Sequence, residues 1–200
     1  MKKHIIAISG YARTGKDTLA NGLVIELSRR GVLALKFKFA TTLKRAVGRA
    51  VSEVGLAFDT ETEDDALKAK VRPLFVTFAQ FCRGMEPAVF AKATVANIDR
   101  HFRIGTDVAV ISDMRYRNEM EILRDYCNEH GVAYLHIDIH RRGVYAAHQE
   151  ELDSLEALLE AAYMGPWFRG VEFSDRDVSG INMYAAGVAD DIANGLEVRQ

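Results

Sequence analysis

The sequence has little cysteine, little proline, no excess of positive charge and no long apolar run near its start. Each shortage excludes something. The basic opening Met1-Lys2-Lys3-His4 is followed only by Ile5-Ile6-Ala7-Ile8 before Ser9-Gly10. That run is too short for a signal-peptide core or a membrane span, so a cytoplasmic protein is expected. Cys82 and Cys127 stand alone, outside any metal-ligand spacing, and are expected to be free thiols. Three prolines in 200 residues leave no sign of a long linker. With 26 Lys+Arg against 28 Asp+Glu, the net charge of -2 argues against holding nucleic acid by bulk electrostatics. No Cys/His cluster suggests zinc, and no G-x-S-x-G elbow suggests a serine nucleophile.

What is present is an ordinary globular composition, 48% hydrophobic and 27% charged, enough to bury a sizeable core. The length suggests one domain with an inserted lid or subdomain. Residues 4–9 form a short apolar run, the signature of a buried parallel strand. Further strands are expected over 32–39, 107–112 and 132–139. Helices are expected over 18–30, 118–130, 150–163 and 184–196, with another capped by Thr41 or Thr42 and running to about Glu53. Residues 59–65 are acidic and polar and predict a surface loop. Residues 66–102 are mostly helical in pattern, with breaks expected at Pro73 and at Gly84-Met85-Glu86-Pro87. Residues 165–182 carry no clear pattern. Strands alternating with helices predict an α/β fold, a parallel sheet covered on both faces in three layers. Its ligand edge is the one where the strands end.

The strongest chemical signal is Gly10-Tyr11-Ala12-Arg13-Thr14-Gly15-Lys16-Asp17-Thr18. It follows a strand and opens a helix, as the phosphate-binding pattern G-x-x-x-x-G-K-[ST] requires. Gly10 and Gly15 let the backbone wrap closely around an anion. The loop's N–H groups, with Arg13 and Thr14 among them, and the positive helix end then face phosphates. Lys16 is placed to bridge the β- and γ-phosphates of a nucleotide, most simply ATP. One departure matters. Asp17 stands where the metal-binding hydroxyl usually is, and the hydroxyl comes one residue later at Thr18. Asp17 and Thr18 are therefore the candidate Mg²⁺ contacts.

Asp113 follows the strand 107–112 and is a candidate metal-orienting or acceptor-binding carboxylate at the carboxyl edge of the sheet. Arg115 is the first candidate for an acceptor phosphate, because a guanidinium binds phosphate bidentately. Arg141 and Arg142 follow the next strand and suit a mobile lid, with His140 and His148 on either side. Lys44, Arg72 and Arg83 are further acceptor candidates. No covalent nucleophile is needed, since positioning and charge stabilisation carry most of phosphoryl transfer.

These residues resemble the bacteriophage deoxynucleoside monophosphate kinases. The resemblance rests on Gly10 to Thr18 with its Gly-Lys-Asp-Thr ending, and on Phe39-Ala40-Thr41-Thr42-Leu43-Lys44. The more specific block is Ile111-Ser112-Asp113-Met114-Arg115-Tyr116-Arg117-Asn118-Glu119. His148 to Glu151 looks like a degraded form of the family's lid. The similarity spans most of residues 1–155. It implies a three-layer P-loop kinase fold with a helical acceptor-binding subdomain at about 56–103 and a lid at about 140–150. It implies transfer of the ATP γ-phosphate, with Mg²⁺, to a deoxynucleoside monophosphate. Lys44, Arg83, Asp113, Arg115 and Asn118 then become acceptor-side candidates. Arg117 stands where the family often has proline. Two alternatives remain at this point: a kinase acting on hydroxymethylated bases in DNA, and an ATP-binding regulator without catalysis. Long apolar helices permit a homodimer.

Overall fold

The structure is a computed structural model and describes residues 2–56, 58–62, 64–163 and 165–195. Met1, Glu63 in the acidic stretch and the expected helix end at Leu196 lie outside these residues. The strands are β1 (His4–Ser9), β2 (Ala34–Phe37), β3 (Val108–Ile111), β4 (Ala133–Arg141) and β5 (Phe168–Phe173). The helices are α1 (Lys16–Arg29), α2 (Phe39–Ser52), α3 (Asp65–Met85), α4 (Val89–Arg103), α5 (Arg117–His130), α6 (Gln149–Ala162) and α7 (Val178–Ala193).

The five strands form one sheet in the order β2-β3-β1-β4-β5, and every pairing is parallel. β1 lies at its centre, so both its faces are covered, which is why its residues are apolar without alternation. Ile6 and Ile8 point into one core with Leu19, Leu23, Ile137 and Val188, under α1 and α7. Ile5 and Ala7 point into the other, with Ile98, Ile111, Met120 and Leu158. A side chain at Gly22 would meet Ala185 Cβ at 3.2 Å, so its absence lets α7 lie close on α1. No described helix is long and apolar enough to cross a membrane.

The structure departs from the sequence expectations in three places. First, neither Thr41 nor Thr42 caps α2. The helix begins at Phe39, and Asp113 caps it across the sheet edge, accepting from Phe39 N–H at 2.9 Å and Ala40 N–H at 3.0 Å. Second, α3 runs through Pro73 and ends only at Met85. An internal proline costs about 3 kcal/mol of helix stability. The helix nevertheless starts firmly, with the Asp64 side chain accepting from Ala66 and Leu67 N–H groups. Phe75, Ala79 and Arg83 beyond the proline keep helical spacing along one wall of a cavity. Third, residues 165–182 contain β5 and the start of α7. β5 is an edge strand whose residues are mostly half-buried or exposed, so it lacks the apolar pattern of a central strand.

Candidate active site

The glycines of the phosphate loop are there for backbone reasons. Gly10 has φ 133 and Gly15 has φ 103, both in the left-handed half of backbone space. Arg13 also has positive φ, at 67. Thr14 is buried and donates its hydroxyl to Tyr11 carbonyl at 2.9 Å, tying the loop to itself. Lys16 folds back over the loop, donating to the carbonyls of Gly10 at 2.7 Å and Tyr11 at 2.5 Å. Burial pushes its pKa down to about 8, with the nearby Arg115 charge adding to the effect.

Asp17 opens α1 on the cavity side. Its carboxylate is 2.8 Å from Lys38 Nζ and 3.5 Å from Lys36 Nζ, and accepts from the Ser112 hydroxyl at 3.0 Å. Burial would raise this carboxyl, but Lys38 and Ser112 outweigh it and hold it below the ordinary value. The loop, Asp17 and Ser112 open onto a cavity of about 1120 Å³. Its far wall comes from α3, α4 and the β3–α5 connection. There the Arg83 guanidinium lies over two rings, 5.3 Å from the Phe90 centroid and 4.9 Å from the Tyr116 centroid. The cations Arg72 and Arg115 also line the cavity.

Two carboxylates stand behind that wall. Asp113 caps α2, and burial raises its pKa against the two N–H groups it accepts from. Glu119 is buried and closes the first turn of α5, accepting from Arg115 N–H at 2.8 Å and Tyr116 N–H at 3.1 Å. Burial pushes it up to about 7. Ser-Asp-x-Arg-Tyr-x-Asn-Glu is thus partly a structural device. Asp113 holds the start of α2, and Glu119 holds the start of α5 with the backbone of Arg115 and Tyr116, both of which border the cavity.

A second polar group lies beneath the loop, between β1 and β4. Ser9 donates to Asp138 at 2.5 Å, and its oxygen is 2.8 Å from His136 Nε2. The serine proton is used on Asp138, so His136 donates through Nε2. Its buried Nδ1 has no partner among the described residues. Burial pushes His136 down to about 4, which keeps it neutral. His140, at the exposed end, pairs with Asp138 and lies edge-on to Tyr11. The hydrogen bond to Asp138 raises the His140 pKa above 6.5. This pair should therefore contribute fully below pH 6.5 and fade as pH rises through the higher folded value. Urea unfolding between pH 6 and 8.5 should show wild type losing stability more steeply than His140→Gln. Parallel curves would refute the assignment.

No family model and no curated protein matches the chain. Solved structures do match. A sugar kinase from Janibacter sp. HTCC2649 aligns over 98% of this chain and 99% of its own, at 14% identity and a TM-score of 0.50. A tunicamycin resistance protein from Deinococcus radiodurans aligns over 100% and 99%, also at 14% identity and 0.50. With the phosphate loop between β1 and α1 and the all-parallel order above, the fold is decided. The chain has the P-loop kinase fold.

Within this P-loop kinase fold, the residues expected to act together are only partly assembled. Gly10, Arg13, Lys16, Asp17, Lys44, Arg72, Arg83, Asp113 and Arg115 all border the one cavity. Lys44 is held there by Glu61 at 2.6 Å. Six others stand elsewhere. Thr14, Gly15 and Thr18 do not line the cavity, whereas Asp17, the other expected metal contact, does. Asn118 donates to Pro87 carbonyl at 2.9 Å and fastens α5 to the α3–α4 connection. Arg141 pairs with Asp175 and donates to Arg13 carbonyl at 3.1 Å, bracing the loop from behind. Arg142 forms an exposed pair with Glu172 at 2.7 Å. Both arginines end β4 and bond to the β5 side, which turns them away from the cavity. The residues that do border it after β4 include Val144, Tyr145, Ala147, His148 and Glu151.

Lys38, Ser112, Tyr116, Glu119 and Glu151 were not among the expected site residues. Glu119 had a signal, since an acid three residues after a helix start is half of a capping box. Lys38 had a weaker one, as the last polar residue of the β2 alternation. Glu151 had only the weak lid resemblance of His148 to Glu151, which did not single it out from an ordinary first-turn acid.

Proposed function

We propose that this protein is an ATP-dependent phosphotransferase whose acceptor is a deoxynucleoside monophosphate. The observation that carries the reading is the single cavity joining the phosphate loop to the wall of Arg72, Arg83, Arg115, Phe90 and Tyr116. Small-molecule sites usually span about 300–1000 Å³, so about 1120 Å³ leaves room for two substrates. The loop takes the ATP phosphates. Aromatic rings and arginines opposite suit a base and a phosphate. The Ile111-to-Glu119 resemblance supports the same acceptor.

In this reading, an oxygen of the acceptor monophosphate attacks the γ-phosphorus, and the bond to the β–γ bridging oxygen breaks, releasing ADP. A monophosphate dianion carries its own nucleophilic oxygen, so no general base is required. Lys16 leaves its loop carbonyls for the β- and γ-phosphate oxygens, where charge shifts during transfer. Arg115 orients the acceptor phosphate, and Arg83, held against the Phe90 and Tyr116 rings, orients the base or sugar. Residues 143–148 serve as the lid, and α3 and α4 as the acceptor-binding part.

Magnesium fits the donor set at the loop. Asp17 and Ser112 present hard oxygens 3.0 Å apart on the cavity wall, and Mg²⁺ is held by one or two carboxylates plus substrate phosphates. When bound, the ion would neutralise charge on the β- and γ-phosphates.

Release of ADP from ATP and Mg²⁺ with each deoxynucleoside monophosphate tests the acceptor. At least one should stimulate release well above the rate with water alone. Stimulation by none would end the acceptor assignment, and phosphate appearing in hydroxymethylated oligonucleotide would replace it.

A further inference from the structure

Glu151 lies in the first turn of α6, on the other side of the cavity mouth from the loop's own helix. Its carboxylate accepts from two backbone amides at once. Oε1 takes Ala12 N–H at 2.9 Å, and Oε2 takes Ala147 N–H at 2.8 Å. Ala12 belongs to the phosphate loop and borders the cavity. Ala147 belongs to the segment 143–148 that follows β4. Burial would raise the Glu151 carboxyl, but the two amides, Arg115 and Lys16 outweigh it and keep it ionised.

A phosphate loop binds anions through its amides and its lysine. Here one of those amides already holds an anion from the chain itself, and Lys16 is turned onto its own loop carbonyls. A triphosphate brought to the same place would face a like charge across a short distance, and repulsion there is strong because water is partly excluded. One carboxylate cannot remain on Ala12 N–H while a phosphate oxygen takes it.

We propose that Glu151 is a positioning residue that occupies a phosphate-loop amide until nucleotide displaces it, releasing Ala147 and the segment 143–148 in the same step. Donor binding and movement of that segment are then coupled through one side chain. This inference rests on the phosphate loop being the donor site, not on the identity of the acceptor.

Calorimetric titration of ATP without acceptor, into the full chain and into Glu151→Gln, tests it. Glutamine keeps the size and an acceptor oxygen but removes the charge. Binding to Glu151→Gln should be tighter by roughly three- to tenfold. Inorganic tripolyphosphate should show the same gain, because the effect is at the phosphates. Equal or weaker binding of both by Glu151→Gln would overturn the inference while leaving the donor site standing. A folded wild-type protein that binds neither probe would overturn the donor-site reading and this inference with it.

Discussion

Lys16→Ala is expected to lower kcat/KM for phosphoryl transfer by about 10³-fold, equivalent to roughly 4 kcal/mol of transition-state stabilisation. Lys16 is the only side-chain cation of the phosphate loop whose ammonium meets nothing but carbonyl oxygens among the described residues, at 2.7 and 2.5 Å. It is thus held at the loop without being neutralised by a carboxylate. Its lowered pKa, about 8 in the free chain, adds a pH signature. The ammonium form predominates below pH 8, and ATP affinity of the free protein should fall as pH rises above it. Steady-state ADP release and ATP titration check both statements. Arg142→Ala is the matched control. That side chain is 76% exposed and pairs with Glu172 alone among the described residues, so activity should stay within about twofold. A large loss from Arg142→Ala with little from Lys16→Ala would reverse the assignment of the donor site.

The second large effect concerns stability. Gly10→Ala should destabilise the fold by about 3 kcal/mol or more. A Cβ on Gly10 would lie 2.3 Å from Ile139 carbonyl oxygen on the neighbouring strand β4. That atom is backbone in the centre of the sheet, so relief requires β1 and β4 to shift apart. The φ of 133 adds strain of its own, since side chains disfavour that conformation. Gly187→Ala tests the opposite limit. Gly187 sits within α7, exposed, with nothing within 4 Å of a new Cβ. There the substitution should stabilise by about 0.5–1 kcal/mol, because alanine restricts the unfolded chain and favours helix. Urea denaturation of the three proteins separates the outcomes, and a Gly10→Ala protein as stable as wild type would refute the argument.

These expectations show which features can be seen in a linear chain. The strand–loop–helix turn carrying Gly10 and Lys16 was visible because it is marked by particular residues at particular short spacings, and local spacing survives folding unchanged. Most strands and helices were visible for the same reason, through runs and helical periods. β5 was not, because an edge strand over residues 168–173 is only partly buried and carries Arg169, Gly170 and Glu172 among its apolar residues. Pro73 misled because helix interruption is a local tendency, and flanking turns can carry a helix across it.

The loop side of the cavity was legible in the sequence, and the wall opposite it only partly. Asp113 was expected to face metal or acceptor; it borders the cavity, and both its oxygens also cap α2, which was not expected. A cap supplied from 74 residues away has no local signature. Arg141 and Arg142 were expected in a lid, and they pair with Asp175 and Glu172 because β5 lies beside β4. That neighbour was invisible, so their direction could not be foreseen.

What the sequence by itself determined is the glycine-containing loop at the start of α1, the central buried strand before it and the alternation that makes a parallel α/β sheet. All three are encoded within windows of a few residues. What only the tertiary structure decided is which charges meet: Asp17 with Lys38 and Ser112, Arg83 with Phe90 and Tyr116, Glu151 with Ala12. Apart from Arg83 with Phe90, those pairs join separate elements well apart in the chain. Their partners are chosen by strand order and helix placement, to which no short spacing responds.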